Sequence, residues 1–523
     1  MVLGGALQAG NMKGPKEKQW KPVEVPTRSA NDLIQTFDPY DYIYCEYRDS
    51  GMPDGIYKTW PNDTILRGVD RLKLISSIMS ARLNNGGSFL TIQRLIKDKC
   101  MLGYFPLHDN VELRDLEQKW LRVCQSPWNQ DVTSVKNYFG EKIGLYFLWL
   151  GHYTTWLASA SVLGIIAWIG VAANDNNPSA PIIPYFCAAI AVWSTLLLEY
   201  WKRKQITTAV TWGMVGFEQE EQTRPEYDGE TIPSPIDGSP MMYFDRNESL
   251  YRLWVSSSVV LVLIVCVLVV IAGIFILRIV LTHTSSLTVG GVAWGGTITS
   301  LVNAVQIQLL NQLYLEVAVR LTEFENNRTD TMFEDSLVVK TFLFQFVNSF
   351  SALFYIAFVK PFIISVDACG HNDCMEELSG YLGTIFITRL ATGSILQIGV
   401  PYFKEVFRKR SEGTGRTDKE EVFTDVELSF FQEEYHVVLG PFSDYADLTV
   451  QFGYATMFVA AFPLSTVMSF INNYLGIFTP CYTFITIPYY KMYKYVCMYV
   501  CMYVCMYVCM YVCMYVYMYV NTN

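Results

Sequence analysis

Seven stretches of this chain are apolar for long enough to cross a bilayer. They lie at roughly 145–172, 183–201, 252–280, 288–315, 337–360, 379–402 and 447–471. Each exceeds the ~18 apolar residues that flag a span of ~30 Å of hydrocarbon. Ahead of them, residues 1–140 mix polar and apolar positions, with helical periodicity at 66–98 and 110–123. The pattern predicts a mainly α protein: a polytopic α-helical membrane bundle over 141–475, behind an N-terminal cytoplasmic α+β domain over 1–140.

Positive charge orients the segments. Lys202, Arg203 and Lys204 follow the second stretch, and Lys404, Arg408, Lys409 and Arg410 follow the sixth. The loops at 173–182, 281–287 and 361–378 carry neither Lys nor Arg. Cytoplasmic loops hold the excess of basic residues. The amino terminus and the loops at 202–250, 316–336 and 403–446 are therefore expected inside the cell. Cys369 and Cys374 then face outside, where a disulfide can form. The glycosylation sequons at Asn62, Asn247 and Asn327 fall inside and are expected to stay unmodified.

Composition agrees with a membrane bundle. Charged residues make up 17% of the chain, against about 25% in soluble domains. The net charge of −10 is too diffuse to suggest a nucleic-acid partner. Of 13 cysteines, Cys497, Cys501, Cys505, Cys509 and Cys513 fall in a Cys-Met-Tyr-Val repeat near the carboxy end. That repeat is also a tetranucleotide read in frame, so residues 476–523 are expected to be an aberrant tail rather than native structure. No P-loop, GxSxG or HExxH appears, so no enzyme is expected. His152, His283 and His371 are isolated and read as residues of the membrane boundary.

Two of the apolar stretches carry chemistry. The fourth holds Thr299, Asn303 and Gln306 on one helical face, and Gln308, Asn311 and Gln312 on the other. The fifth carries Gln345, Asn348, Ser349 and Tyr355 as a stripe. Amides in hydrocarbon need partners. Either these groups bond helix to helix, or Asn303, Gln306, Gln345 and Asn348 line a hydrophilic furrow for ions or lipid headgroups. At the start of the seventh stretch, Asp444 and Asp447 share a face at spacing i, i+3. Ca²⁺ takes 6–8 oxygens, so two carboxylates are at most half a site.

Several stretches together resemble the anoctamin family of calcium-activated chloride channels and phospholipid scramblases. They include YFGEKIGLYFLWLGHYT (138–154), LLLEYWKRK (196–204), RPEYDG (224–229) and QIGVP (397–401). The longest runs from YLEVAVRLTEFENN at 314 to FYIAFVK at 360, and another is DYADLTVQFGYATMFVAAFPL (444–464). The resemblance implies ten transmembrane helices, of which about seven are kept, a homodimer when the chain is full length, and a furrow lined by helices three to seven. It also implies intramembrane Ca²⁺ held by acids of the sixth, seventh and eighth helices. Asp444 and Asp447 match the family's acids. Gln397 stands where many members have Glu. Gly476 and Pro480 stand where the eighth helix would carry acids, so the calcium site is incomplete. The implied activity is passive transport: an anion channel, a phospholipid scramblase, or both, acting on anions and membrane lipids in the plasma membrane or an endomembrane. A non-transporting tether or scaffold, or a non-functional truncated product, is the alternative.

Overall fold

The computed structural model describes most of residues 65–484. Left out are 1–64 and 485–523, parts of 81–108, and chiefly 121–126, 217–222, 234–237, 284–287, 363–373, 395–402 and nearly all of 411–438.

Three short helices come first: α1 (Gly68–Ser80), α2 (Asn110–Trp120) and α3 (Val132–Phe139). Asp131 caps α3, its side chain accepting from the Ser134 amide at 3.1 Å. At Gly140 the backbone takes φ +96°, a left-handed turn open to glycine, and the chain re-enters helix as α4 (Glu141–Ala172). Among the described residues before Gly140 there is no strand.

The long helices follow: α5 (Ile182–Thr211), then a two-stranded antiparallel hairpin of β1 (Glu230–Pro233) and β2 (Pro240–Tyr243), then α6 (Arg246–His283). A second small hairpin pairs β3 (Thr288–Val289) with β4 (Val292–Ala293). Next come α7 (Gly295–Phe324) and α8 (Asp330–Phe354), which runs on through a π-turn at Tyr355–Val359 to Phe362. α9 (Cys374–Ser394), α10 (Leu439–Met457) and α11 (Ser465–Phe484) complete the set. Helices over Glu141–Ala172, Ile182–Thr211, Arg246–Leu281 and Asp330–Phe362 are long and apolar enough to cross a membrane.

Two expected segments are divided differently. The fourth begins as the β3–β4 hairpin and becomes helical only at Gly295. The seventh, read as one stretch over 447–471, is two helices. It breaks at 458–464, where Pro463 lacks the amide that a continuing helix would need. α11 runs past Gly476, where the sequence reading placed the start of an aberrant tail.

Hydrocarbon on the outside removes most of the hydrophobic drive between spanning helices, so close packing must hold them. Small residues allow it. A methyl group at Gly164 of α4 would lie 2.6 Å from the Pro463 carbonyl oxygen, and one at Gly453 of α10 would lie 2.5 Å from the Phe350 ring. One core cluster joins α6 to α10 through residues such as Ile307, Leu337, Leu353, Leu382 and Tyr454. A second joins α2 to α5 through Trp120, Leu150, Leu157 and Leu197.

Candidate functional site

α7 and α8 are joined by the short elbow at 325–329 and pack along their lengths. The amides of the sequence reading meet there. Gln306 donates through Nε2 to Asn348 Oδ1 at 2.8 Å, and Asn348 donates through Nδ2 to the Ile307 carbonyl at 3.1 Å and to Asn311 Oδ1 at 2.8 Å. Asn348 is fully buried. Asn311, assigned by periodicity to the far face, joins this seam instead. Ile307 is the buried residue lying between Gln306 and Asn311 on the helix, so α8 touches both flanks of it.

Asn303 is fully buried and neither its Oδ1 nor its Nδ2 has a partner; Gln306 Oε1, Gln345 Oε1 and the Ser349 hydroxyl are likewise unpaired. Unsatisfied amides are costly in a low-dielectric interior. All four residues expected to line a furrow therefore lie on α7 and α8. Gln306 and Asn348 are bonded to each other, while Asn303 and Gln345 are buried along the same pair of helices. Around them, Tyr314 stacks on Phe344 with centroids 3.7 Å apart, and Tyr454 of α10 donates its hydroxyl to the Ser349 carbonyl at 3.3 Å.

Both ends of the seam carry charge. At the elbow, Lys340 Nζ meets Glu325 Oε2 at 2.7 Å and donates to Ser336 Oγ at 2.6 Å and Thr322 Oγ1 at 3.2 Å; Lys340 and Glu325 are both buried. Ser336 also donates to Glu325. Arg224 and Asp228 dock on this elbow: the Arg224 amide donates to the Arg328 carbonyl at 2.9 Å, and Asn326 exchanges two hydrogen bonds with the Asp228 backbone. At the other end, Arg278 of α6 and Lys360 after α8 both bond Glu377 of α9, Lys360 at 2.8 Å. Neither ionic cluster was named from sequence, although a lysine at 340 inside an apolar stretch was a signal to follow.

Asp444 and Asp447 lie on α10. Asp447 is exposed and 3.6 Å from the Arg389 guanidinium; Asp444 is half-buried. Gln397 lies outside the described residues. Among those described, no three His, Cys, Asp or Glu side chains converge as metal ligands. Two carboxylates, one of them held by an arginine, do not make up the hard-oxygen shell that Ca²⁺ requires. Cys374 is disulfide-bonded; Cys369 lies outside the described residues. His152 is buried between α4 and α5, stacked on Tyr200 at 5.7 Å and beside Trp149, Trp156 and Trp201.

Long apolar helices bonded through buried amides define a polytopic helical membrane protein. The family model described as "Anoctamin: Calcium-activated chloride channel" matches residues 135–491, and the chain belongs to the anoctamin family. It is similar to Anoctamin-7 of Homo sapiens, 28% identical over 522 aligned residues that take in 84% of this chain and 55% of the relative. It is also similar to Anoctamin-4 of Homo sapiens, at 27% identity over 90% of this chain and 57% of the relative. Anoctamin-3 of Mus musculus is 25% identical over 81% of this chain and 51% of the relative. The chain thus spans about half the length of the curated relatives it matches.

Proposed function

We propose that this chain forms the conducting part of a passive transporter, an anion channel or phospholipid scramblase, whose path is the seam between α7 and α8. The observation that carries this reading is the buried amide set of Asn303, Gln306, Gln345 and Asn348, with several polar atoms left unpaired. Amides with atoms left unpaired are able to take new partners, and a path for an ion or a headgroup needs such neutral polar groups. When the helices part, the Gln306–Asn348 bond is exchanged for bonds to the passing ion or headgroup, and lipid tails stay in hydrocarbon. Movement is downhill and needs no bond chemistry.

Calcium dependence is the family's described property, but the residues here support it weakly. Asp444 and Asp447 are what this chain offers, with Gln397 contributing at most a neutral carbonyl oxygen. The expected calcium response is therefore small. The proposed setting is a plasma membrane or endomembrane with the amino terminus in the cytoplasm and, for the full-length protein, a homodimer.

The experiment is lipid flip and chloride efflux from liposomes carrying the purified chain, titrated with calcium, for the natural protein and Asp447→Ala. Transport above that of empty liposomes, little changed by calcium, is expected. No flip and no efflux at any calcium level would remove the transport reading and leave a tether.

A further inference from the structure

A cavity of about 260 Å³ lies where three helices begin. α4 contributes Lys142, α8 contributes Glu334, Leu337 and Phe342, and α10 contributes Tyr445 and Thr449. Lys142 and Glu334 pair at 2.5 Å on its rim and are each partly exposed, 43% and 33%. They belong to the first turns of helices that run on as membrane spans over Glu141–Ala172 and Asp330–Phe362. With those helices crossing a bilayer, the ion pair near their starts would lie close to the headgroups. Beside the cavity on α8, Val339 and Leu343 are exposed at 67% and 48%.

We infer that this cavity is a binding site for a zwitterionic phospholipid of the leaflet that borders these helix starts, separate from the α7–α8 seam. Apart from the rim pair, the walls are mostly apolar, formed by Leu337, Val338, Phe342, Pro441, Phe442 and Ala446, and suit part of an acyl chain. The rim selects the headgroup. It offers one cation and one anion: Lys142 Nζ to a lipid phosphate and the Glu334 carboxylate to the lipid's own ammonium. An anionic lipid would satisfy Lys142 but leave its charge against Glu334, and an uncharged diglyceride would satisfy neither. The lipid would fill the space between α4, α8 and α10, so it would be a structural ligand and not cargo. The inference depends on the chain spanning a membrane and not on its transporting anything.

The test is native mass spectrometry of the full chain in detergent, given equal amounts of phosphatidylcholine, phosphatidylglycerol and diacylglycerol. Phosphatidylcholine should be retained about tenfold over either competitor, a difference of about 1.4 kcal/mol. Thr449→Trp, which fills the cavity, should abolish that retention. Lys142→Gln, at the partly exposed rim with the cavity left open, should reduce it about tenfold. Equal retention of phosphatidylglycerol or diacylglycerol would overturn the site, as would undiminished phosphatidylcholine binding by Lys142→Gln. If Thr449→Trp does not yield folded protein, the Lys142→Gln comparison decides alone. Binding is read without a flip assay, so failure here leaves the transport reading untouched, and loss of transport leaves this site untouched.

Discussion

Lys340 and Glu325 form a buried ion pair at 2.7 Å that spans the elbow between α7 and α8, with Ser336 and Thr322 completing the hydrogen bonds of the ammonium. Lys340→Met would strand the Glu325 carboxylate, whose second oxygen is already unpaired. Breaking one side of such a pair costs about 3–5 kcal/mol. The single variant should melt well below the natural protein in detergent. Lys340→Met combined with Glu325→Gln should recover most of the loss, because no charge is left buried. Equal melting of single and double variants would mean the pair is not a coupled unit.

Asn348 is the hub of the amide seam. Asn348→Leu keeps the volume and removes bonds to Gln306, Ile307 and Asn311. Hydrogen bonds between membrane helices average about 0.6 kcal/mol each, so the fold should survive. Transport should slow about tenfold, as expected for an added barrier of about 1.4 kcal/mol. Flip and efflux rates at matched protein density check it; unchanged rates would take Asn348 out of the path.

Gly164 lets α4 approach the 458–464 break so closely that the Pro463 carbonyl and Thr466 fill the space a side chain would need. Gly164→Leu should destabilise by about 1–3 kcal/mol, the usual cost of overpacking. Gly273 of α6 has open space around it, so Gly273→Leu serves as the control and should be tolerated. Melting temperatures of the two, side by side, give the answer.

Outside the membrane helices, Glu112 on α2 is held above the usual carboxylate range, by burial first and by the neighbouring Asp109 second, with Arg71 acting against both. A carboxyl whose pKa is raised on folding binds its proton more tightly in the folded chain. Its stabilising contribution is present below the unfolded pKa and is lost as pH rises through the folded one. Glu112→Gln should therefore raise the melting temperature at neutral pH. It should also flatten the pH dependence of melting just above the ordinary carboxylate range. The same slope in both proteins would exclude Glu112 as its source.

Much of this was readable before any coordinates. Apolar length marked the spans at 145–172, 183–201, 252–280 and 337–360, because an apolar stretch of that length with so few charges has few alternatives in water. Amide spacing brought Gln306 and Asn348 into consideration. Periodicity put Gln306 and Asn311 on different flanks of α7 and could not show that α8 packs over Ile307 and reaches both through Asn348. The break before Ser465 was hidden because its residues, Phe458 to Leu464, are as apolar as the helices they separate. Hydropathy registers solubility in lipid and not backbone direction. The ionic clusters at Lys340 and Glu377 are assembled from residues on different helices, and only the packed structure brings them within reach.

The short elbow at 325–329 has a bearing on how the protein is made. α7 carries amides on more than one side and would be a poor passenger in hydrocarbon by itself. Because α8 follows after a few residues, the two can pair as a hairpin while still beside each other, with Asn348 meeting Gln306 and Asn311 before either is left alone among acyl chains. Such local contacts form quickly. Insertion of α7 and α8 as one unit is the expected consequence, and lengthening the elbow should lower membrane integration before it lowers transport.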